Sequence, residues 1–256
     1  MKKDIIQQWE DGLRTSGKFG EYEWWYFDVK LDGGYSLVII FYSQPVTAAS
    51  PGFVPCVSLS LTGNEYEMLE EVSFKLKDCH FSKDGCDVKI GNNTFKGDLK
   101  NYTIHFENDR VNCDVTLEGL AQSYRHHTGE IFFGESKYFA WLPSVPEGKV
   151  TADITVDGKK LALNGSGYHD HNWGNIGMFW LMHHWYWGRA KVGEYHFRIT
   201  YSAEDIIETF VVDQGYGSAR AKASKALIWF VKKMKLAPSY IRMVGTITLE
   251  RFEMTL

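Results

Sequence analysis

The sequence predicts an all-β protein with minor helix, assembled from antiparallel strands. Three observations carry this. Apolar and polar residues alternate with period two along most of the 256 residues, which is the signature of strands with one buried face. Turn residues punctuate the alternation at Asp32-Gly33-Gly34, Gly63-Asn64, Lys83-Asp84-Gly85 and Asp157-Gly158. The alternating segments recur every ~8–12 residues, a spacing that belongs to sandwiches and barrels.

Taken in order, residues 1–20 read as a short helix or arm. Strands are expected at 23–30 and 35–42, joined by Asp32-Gly33-Gly34 as a hairpin, then at 54–61, 67–76, 86–90, 94–99, 102–107 and 111–118. Segment 119–133 is polar and contains His126-His127, so the boundary is placed there, with one β domain over 1–130 and a second over 131–256. A second run starts near Tyr138 and continues at 149–156, 160–165, 185–191, 194–202, 206–212 and 244–254. The second half is short of strands for a closed barrel, and its last run ends without a polar tail. The natural chain is therefore expected to extend beyond Leu256.

One segment breaks the pattern. Residues 218–236 have helical periodicity, with Ala223, Leu227, Phe230, Val231 and Met234 on one face. Trp229 falls instead among Lys222, Lys225, Lys232 and Lys233. A helix capping a barrel accounts for this, and so does a basic face in peripheral contact with a membrane.

Composition limits the function classes. A net charge of −4 argues against nucleic-acid binding, which needs a clustered cationic surface. The four cysteines form no CxxC pair and no zinc spacing, so the thiols are expected to be free. The first residues lack the apolar run of a signal peptide, and no apolar stretch is long enough to span a bilayer. The expected address is the cytoplasm, with membrane association through 218–236 as an addition. Nine Trp, fourteen Tyr and sixteen Phe are more aromatics than an ordinary core needs, so some should line a pocket.

Two clusters could carry chemistry. Glu23-Trp24-Trp25-Tyr26-Phe27-Asp28 opens the first strand run. Side chains alternate along a strand, so Glu23, Trp25 and Phe27 share one face, and Glu23 is either an inward carboxylate or a wet edge residue. Tyr168-His169-Asp170-His171-Asn172-Trp173-Gly174 is denser, and His183-His184-Trp185-Tyr186-Trp187-Gly188-Arg189 follows it closely. If the first of these is extended, Tyr168, Asp170 and Asn172 share one face, and His169, His171 and Trp173 the other. A carboxyl beside a tyrosine hydroxyl among aromatic walls would have its pKa raised by desolvation and could deliver a proton near neutral pH. Three plainer roles compete. His169 and His171 could ligate a metal with His183 or His184, although no third ligand stands at a diagnostic spacing. Asp170 and Asn172 could cap a turn, and the histidines could be ordinary core members. No nucleophile elbow, P-loop, dinucleotide fingerprint or HExxH is present, which leaves cofactor-free acid–base chemistry or simple binding.

These two clusters, with Trp185-Tyr186-Trp187-Gly188-Arg189, resemble the carotenoid 1,2-hydratase (hydroxyneurosporene synthase) family. That family belongs to a wider lipocalin-like group with AttH-like proteins and natural-product Diels–Alderases. The resemblance implies two lipocalin-like antiparallel β-barrel domains packed together, no cofactor and no metal, and a lipophilic polyene or isoprenoid as substrate. It implies alkene protonation by Asp170, with Tyr168 positioning the acid or a water and Trp141 lining the cation site. Glu23, Trp25, His169, His171, Trp173, Trp185 and Trp187 are the expected substrate-binding residues. The family pattern has a His two residues before that Trp, where this chain has Phe139. The departure leaves room for cyclisation or isomerisation instead of hydration. Two other functions are a non-catalytic carrier of a hydrophobic ligand and a Diels–Alderase-type pericyclase. The discriminating feature is whether Asp170 faces an enclosed apolar cavity with Tyr168 or instead accepts backbone hydrogen bonds in a turn.

Overall fold

In a computed structural model the described residues are 5–47, 51–125 and 127–177, together with the backbone of three further strands. The chain divides into two compact units, Met1–Met178 and Phe179–Leu256.

The first unit is one antiparallel sheet of twelve strands. They are β1 (Tyr22–Leu31), β2 (Tyr35–Gln44), β3 (Cys56–Gly63), β4 (Tyr66–Ser73), β5 (Cys79–Phe81), β6 (Cys86–Ile90), β7 (Asn93–Gly97), β8 (Asn101–Glu107), β9 (Val111–Gly119), β10 (Glu130–Phe133), β11 (Lys137–Val156) and β12 (Lys159–Gly174). The order across the sheet is β4-β3-β2-β1-β12-β11-β9-β8-β7-β6-β5, with β10 paired to β11. Consecutive strands mostly neighbour each other through short turns, as sequence-local pairing favours. The exceptions are β9 beside β11, with β10 off that path, and β1 beside β12; the β1–β12 pairing creates the site described below.

The sheet curls until distant parts of one face meet. Phe41 of β2 packs edge-to-face on Phe95 of β7 with ring centroids 5.6 Å apart, although five strands lie between them in the sheet. Trp25 of β1 likewise stacks on Phe81 of β5 at 6.0 Å. The enclosed face carries the core, including Trp25, Phe27, Leu37, Ile39, Leu59, Val88, Ile104 and Leu117. Period-two alternation is what puts these apolar side chains on a common face.

Residues 5–20 enter as an arm, with a 3-10 turn at Gln8–Asp11. They lie against the enclosed face: Leu13 N–H donates to the Ser82 carbonyl at 2.7 Å, and the Tyr102 hydroxyl donates to Asp11 at 2.5 Å.

Most expected strands are present, with differences that have clear causes. Segment 119–133, expected to be polar linker, contains β10, whose Ile-Phe-Phe run is too short to register as periodic. β11 and β12 run 20 and 16 residues, and their inner halves are buried on both faces, which erases the alternation there. The sheet continues across position 130, since β11 pairs with β9 on one side and β12 on the other. Asp157-Gly158 makes the tight β11–β12 turn with φ of 47° and 84°, values that Asp and Gly tolerate.

In the second unit the described backbone is a three-stranded antiparallel sheet, β13 (Trp185–Val192), β14 (Tyr195–Ser202) and β15 (Val211–Gln214). The helix expected at 218–236 and the strand expected at 244–254 lie outside the described residues. Among the described residues no helix is long and apolar enough to cross a membrane.

Candidate active site

The site forms along the seam of β1 and β12. Their register sets Trp24 opposite Asn172, Tyr26 opposite Asp170 and Asp28 opposite Tyr168; it also sets Glu23 opposite Trp173, Trp25 opposite His171 and Phe27 opposite His169. Partners directly opposite point the same way. One seam therefore builds two different rows, one on each face of the sheet.

The row away from the core centres on Asp170. The Tyr168 hydroxyl donates to Asp170 Oδ2 at 2.6 Å, and Trp141 Nε1–H from β11 donates to the same oxygen at 2.8 Å. The same indole N–H lies 3.1 Å from the Tyr168 oxygen, which closes a triangle. Asn172 Nδ2 meets Asp170 Oδ1 at 2.5 Å. Three donors on one carboxyl would by themselves favour the ionised form. Burial wins: desolvation pushes Asp170 up to about 6, against the lowering effects of the Tyr168 and Trp141 hydrogen bonds, the charge of His169 and the Asn172 contact. Asn172 has both a donor and an acceptor, so it can hold Oδ1 whether or not that oxygen carries the proton.

Aromatic rings flank this carboxyl. Tyr26 meets Tyr168 edge-on at 6.3 Å, and Trp24 contacts Tyr22, Tyr42 and Phe139 at 5.6, 6.4 and 6.4 Å. Gly174 lets this end of the seam close, because a Cβ there would run into the Tyr22 hydroxyl and the Tyr138 carbonyl. Asp170 is mid-strand and its hydrogen bonds are to side chains, so the turn-capping role does not describe it.

The row facing the core is a network of buried carboxyl and imidazole groups. His171 Nε2 lies 2.8 Å from Glu23 Oε1, and its Nδ1 lies 3.3 Å from the Glu10 carbonyl. Glu23 also accepts from the Arg14 and Thr15 backbone N–H groups at 2.7 and 2.9 Å and from the Thr15 hydroxyl at 2.5 Å. His169 Nε2 lies 3.3 Å from Asp11 Oδ2, and its Nδ1 lies 2.9 Å from the Tyr26 carbonyl. Burial alone would push the Asp11 carboxyl up; the charge and hydrogen bond of His169, with His171 and Tyr102 added, bring it below its usual value. Trp25 stacks flat on His171 at 4.6 Å and 8°, while its indole N–H donates to the Asp11 carbonyl at 2.9 Å.

Of the expected site residues, Tyr168, Asp170 and Trp141 thus come together directly. Glu23, Trp25, His169, His171 and Trp173 lie on the opposite face, with Glu23 fully buried and not at a wet edge. Trp185 and Trp187 lie on β13, but their side chains are outside the described residues, as are His183 and His184. Asp11, Cys86 and His169 bring one donor atom each within 4.8 Å of one another, residue types that can hold a metal. Here Asp11 Oδ2 already takes Tyr102 and His169, and burial holds the Cys86 thiol well above its usual value with its S–H directed at the Phe95 carbonyl. A metal would need the thiolate.

Asp11 has no local signal: it lies 158 residues from His169 in a segment without periodicity. Trp24 and Tyr26 belong to the aromatic run at the start of β1, but only the β1–β12 register shows that they flank the Asp170 row.

The comparisons with known proteins agree with this architecture. The sequence model of a family described as Diels-Alderase-like matches residues 18–212. Hydroxyneurosporene dehydrogenase of Chlorobaculum tepidum is 27% identical over 209 residues, covering 67% of this chain and 54% of that protein. The quinolone epoxide rearrangement protein asqO of Emericella nidulans is 24% identical over 191 residues, covering 68% and 52%. The chain thus spans about half the length of these curated relatives. Among solved structures, an AttH-type protein of Nitrosomonas europaea superimposes with a TM-score of 0.60 at 14% identity, covering 86% of this chain and 79% of that one, a likeness of fold.

Proposed function

The chain belongs to the Diels-Alderase-like family, and on that premise we propose that it is a cofactor-independent acid–base enzyme acting on a lipophilic unsaturated small molecule. Asp170 is the proton donor. The observation that carries this is the pairing of a buried carboxyl, raised to about 6 by desolvation, with Tyr168 and Trp141 on one of its oxygens. An acid poised near the working pH combines a useful protonated fraction with real driving force for proton transfer.

In the proposed step the acidic proton leaves a carboxyl oxygen and forms a C–H bond with one end of an alkene, whose π electrons supply that bond. The other carbon becomes cationic. Neighbouring aromatic faces stabilise such a cation by about 0.5–2 kcal/mol each through the ring quadrupole. Water capture then gives hydration, and attack by a second double bond gives cyclisation; either product loses a proton that restores Asp170. As the carboxylate forms, the Tyr168 O–H and Trp141 N–H already point at Oδ2, so no reorganisation is needed. The name of the fungal relative fits the same chemistry, since an epoxide oxygen is opened by a proton donor.

Incubation with candidate polyenes or isoprenoids in heavy water tests the assignment. Product carrying deuterium on carbon is expected. Deuterium-free product would sink alkene protonation and favour a pericyclase, and ligand bound but unchanged would favour a carrier.

A further inference from the structure

We propose that Asp11 and His169 form a positioning pair for Asp170, in which the N-terminal arm holds a doubly protonated His169 on the core face of β12 and so governs how readily the carboxyl on the opposite face ionises. The inference rests on Asp170 being the functional acid.

The argument begins with hydrogen-bond chemistry. His169 Nδ1 faces the Tyr26 carbonyl at 2.9 Å, and Nε2 faces the Asp11 carboxylate at 3.3 Å. Both partners only accept, so each nitrogen is satisfied only when it carries a proton. The ring is held between Phe95 and Tyr102, with centroids 4.6 Å from each, and its side chain is fully buried. An imidazolium sealed in this way must have a counter-charge, because an unpaired ion in a low-dielectric interior is costly. Asp11 supplies it, and the Tyr102 hydroxyl at 2.5 Å fixes the Asp11 carboxylate in turn.

Sequence adjacency does the rest. His169 lies between Tyr168 and Asp170, so its charge sits on the other side of the strand from the acid. Coulomb interaction across one strand thickness of protein is weakly screened, and the His169 charge is one of the influences that lower Asp170. The Nδ1 bond to Tyr26 also ties the ring to the residue registered opposite Asp170. Among the described residues the other titratable groups around His169 are Tyr102, His171 and Cys86. On the face of Asp170 they are Tyr168, with Tyr22, Tyr26 and Asp28 of β1, Tyr42 of β2, and Glu147 of β11, which is bonded to Ser166.

The test follows Asp170 itself. Full-length protein with 13C-labelled aspartate side chains is titrated by NMR, the Asp170 signal being assigned by its loss in Asp170→Asn. In His169→Gln and in Asp11→Asn the midpoint of Asp170 should rise by about 0.5–1 unit, and the double variant should rise no further than the larger single. Tyr102→Phe, which removes a bond to Asp11 but no charge, should leave it in place. Unmoved midpoints in folded variants overturn the pair while leaving the acid intact. A wild-type midpoint in the ordinary aspartate range, near ~4, defeats the acid assignment instead. A second readout needs no variant: 15N spectra of wild-type His169 should show protons on both ring nitrogens at neutral pH, and a neutral ring overturns the pair.

Discussion

At the scale of single residues, the chemistry depends on which influence on Asp170 is largest. Burial raises its carboxyl to about 6, and the hydrogen bonds that would lower it only limit the rise. Turnover that needs the protonated form should therefore fall as pH increases through about 6, and a rate–pH profile on a turned-over polyene checks this. Asp170→Asn keeps the shape and can still accept from Tyr168 or Trp141, but it has no acidic proton. Its expected effect is a loss of at least ~100-fold in turnover, within the range for a general acid, with ligand binding retained. Trp141→Phe removes the N–H that bonds Asp170 Oδ2 and contacts the Tyr168 oxygen. The acid should then titrate higher and the falling limb of the profile should move to higher pH.

At the scale of elements, β12 is asymmetric in a way that its partners impose. Its first half alternates between exposed and partly buried residues, whereas Gly167–Gly174 is buried throughout. The buried half is where β1 brings Glu23 and the arm brings Arg14 and Thr15. Glu23→Gln would remove the nearer of the two carboxylates that His171 meets in the interior, leaving Asp11 at 3.7 Å. Breaking one side of a buried pair typically costs ~3–5 kcal/mol, so a large drop in the urea midpoint is expected. Glu65→Gln, at the exposed pair with Lys159, should leave that midpoint unchanged within error, as is usual for solvated pairs. Equal effects of the two substitutions would mean that the Glu23 network contributes nothing special to the fold.

For the whole molecule, the two faces of one strand pull stability in opposite directions with pH. Asp170 has a raised folded-state value, so its contribution is fully present below the unfolded-state value near ~4 and is lost as pH rises through about 6. Asp11 is lowered, so its contribution is present above the unfolded-state value and is lost as pH falls. For Asp170 the difference of about 2 units corresponds to roughly 3 kcal/mol at most. Thermal unfolding across pH 4–7 should show the wild type losing stability relative to Asp170→Asn as pH rises, and parallel curves would mean that Asp170 is not held protonated. Much of the plan behind these effects was legible beforehand. Alternation and turn residues locate β1, β2, β6, β8 and β9 closely, and the two faces of Tyr168–Trp173 follow from strand geometry alone. β10 was not legible because four residues are too few to show a period, and the full lengths of β11 and β12 were not because residues buried on both faces show none. By itself the sequence determined the antiparallel β class, the density of chemistry at Tyr168–Gly174 and the company of Tyr168 with Asp170, since all of these are local. Only the tertiary structure decided that Asp170 lies away from the core, that Trp141 bonds it, and that Asp11 stands behind it. Those facts depend on the β1–β12–β11 register and on an arm more than a hundred residues away, and no local pattern encodes such a long-range pairing.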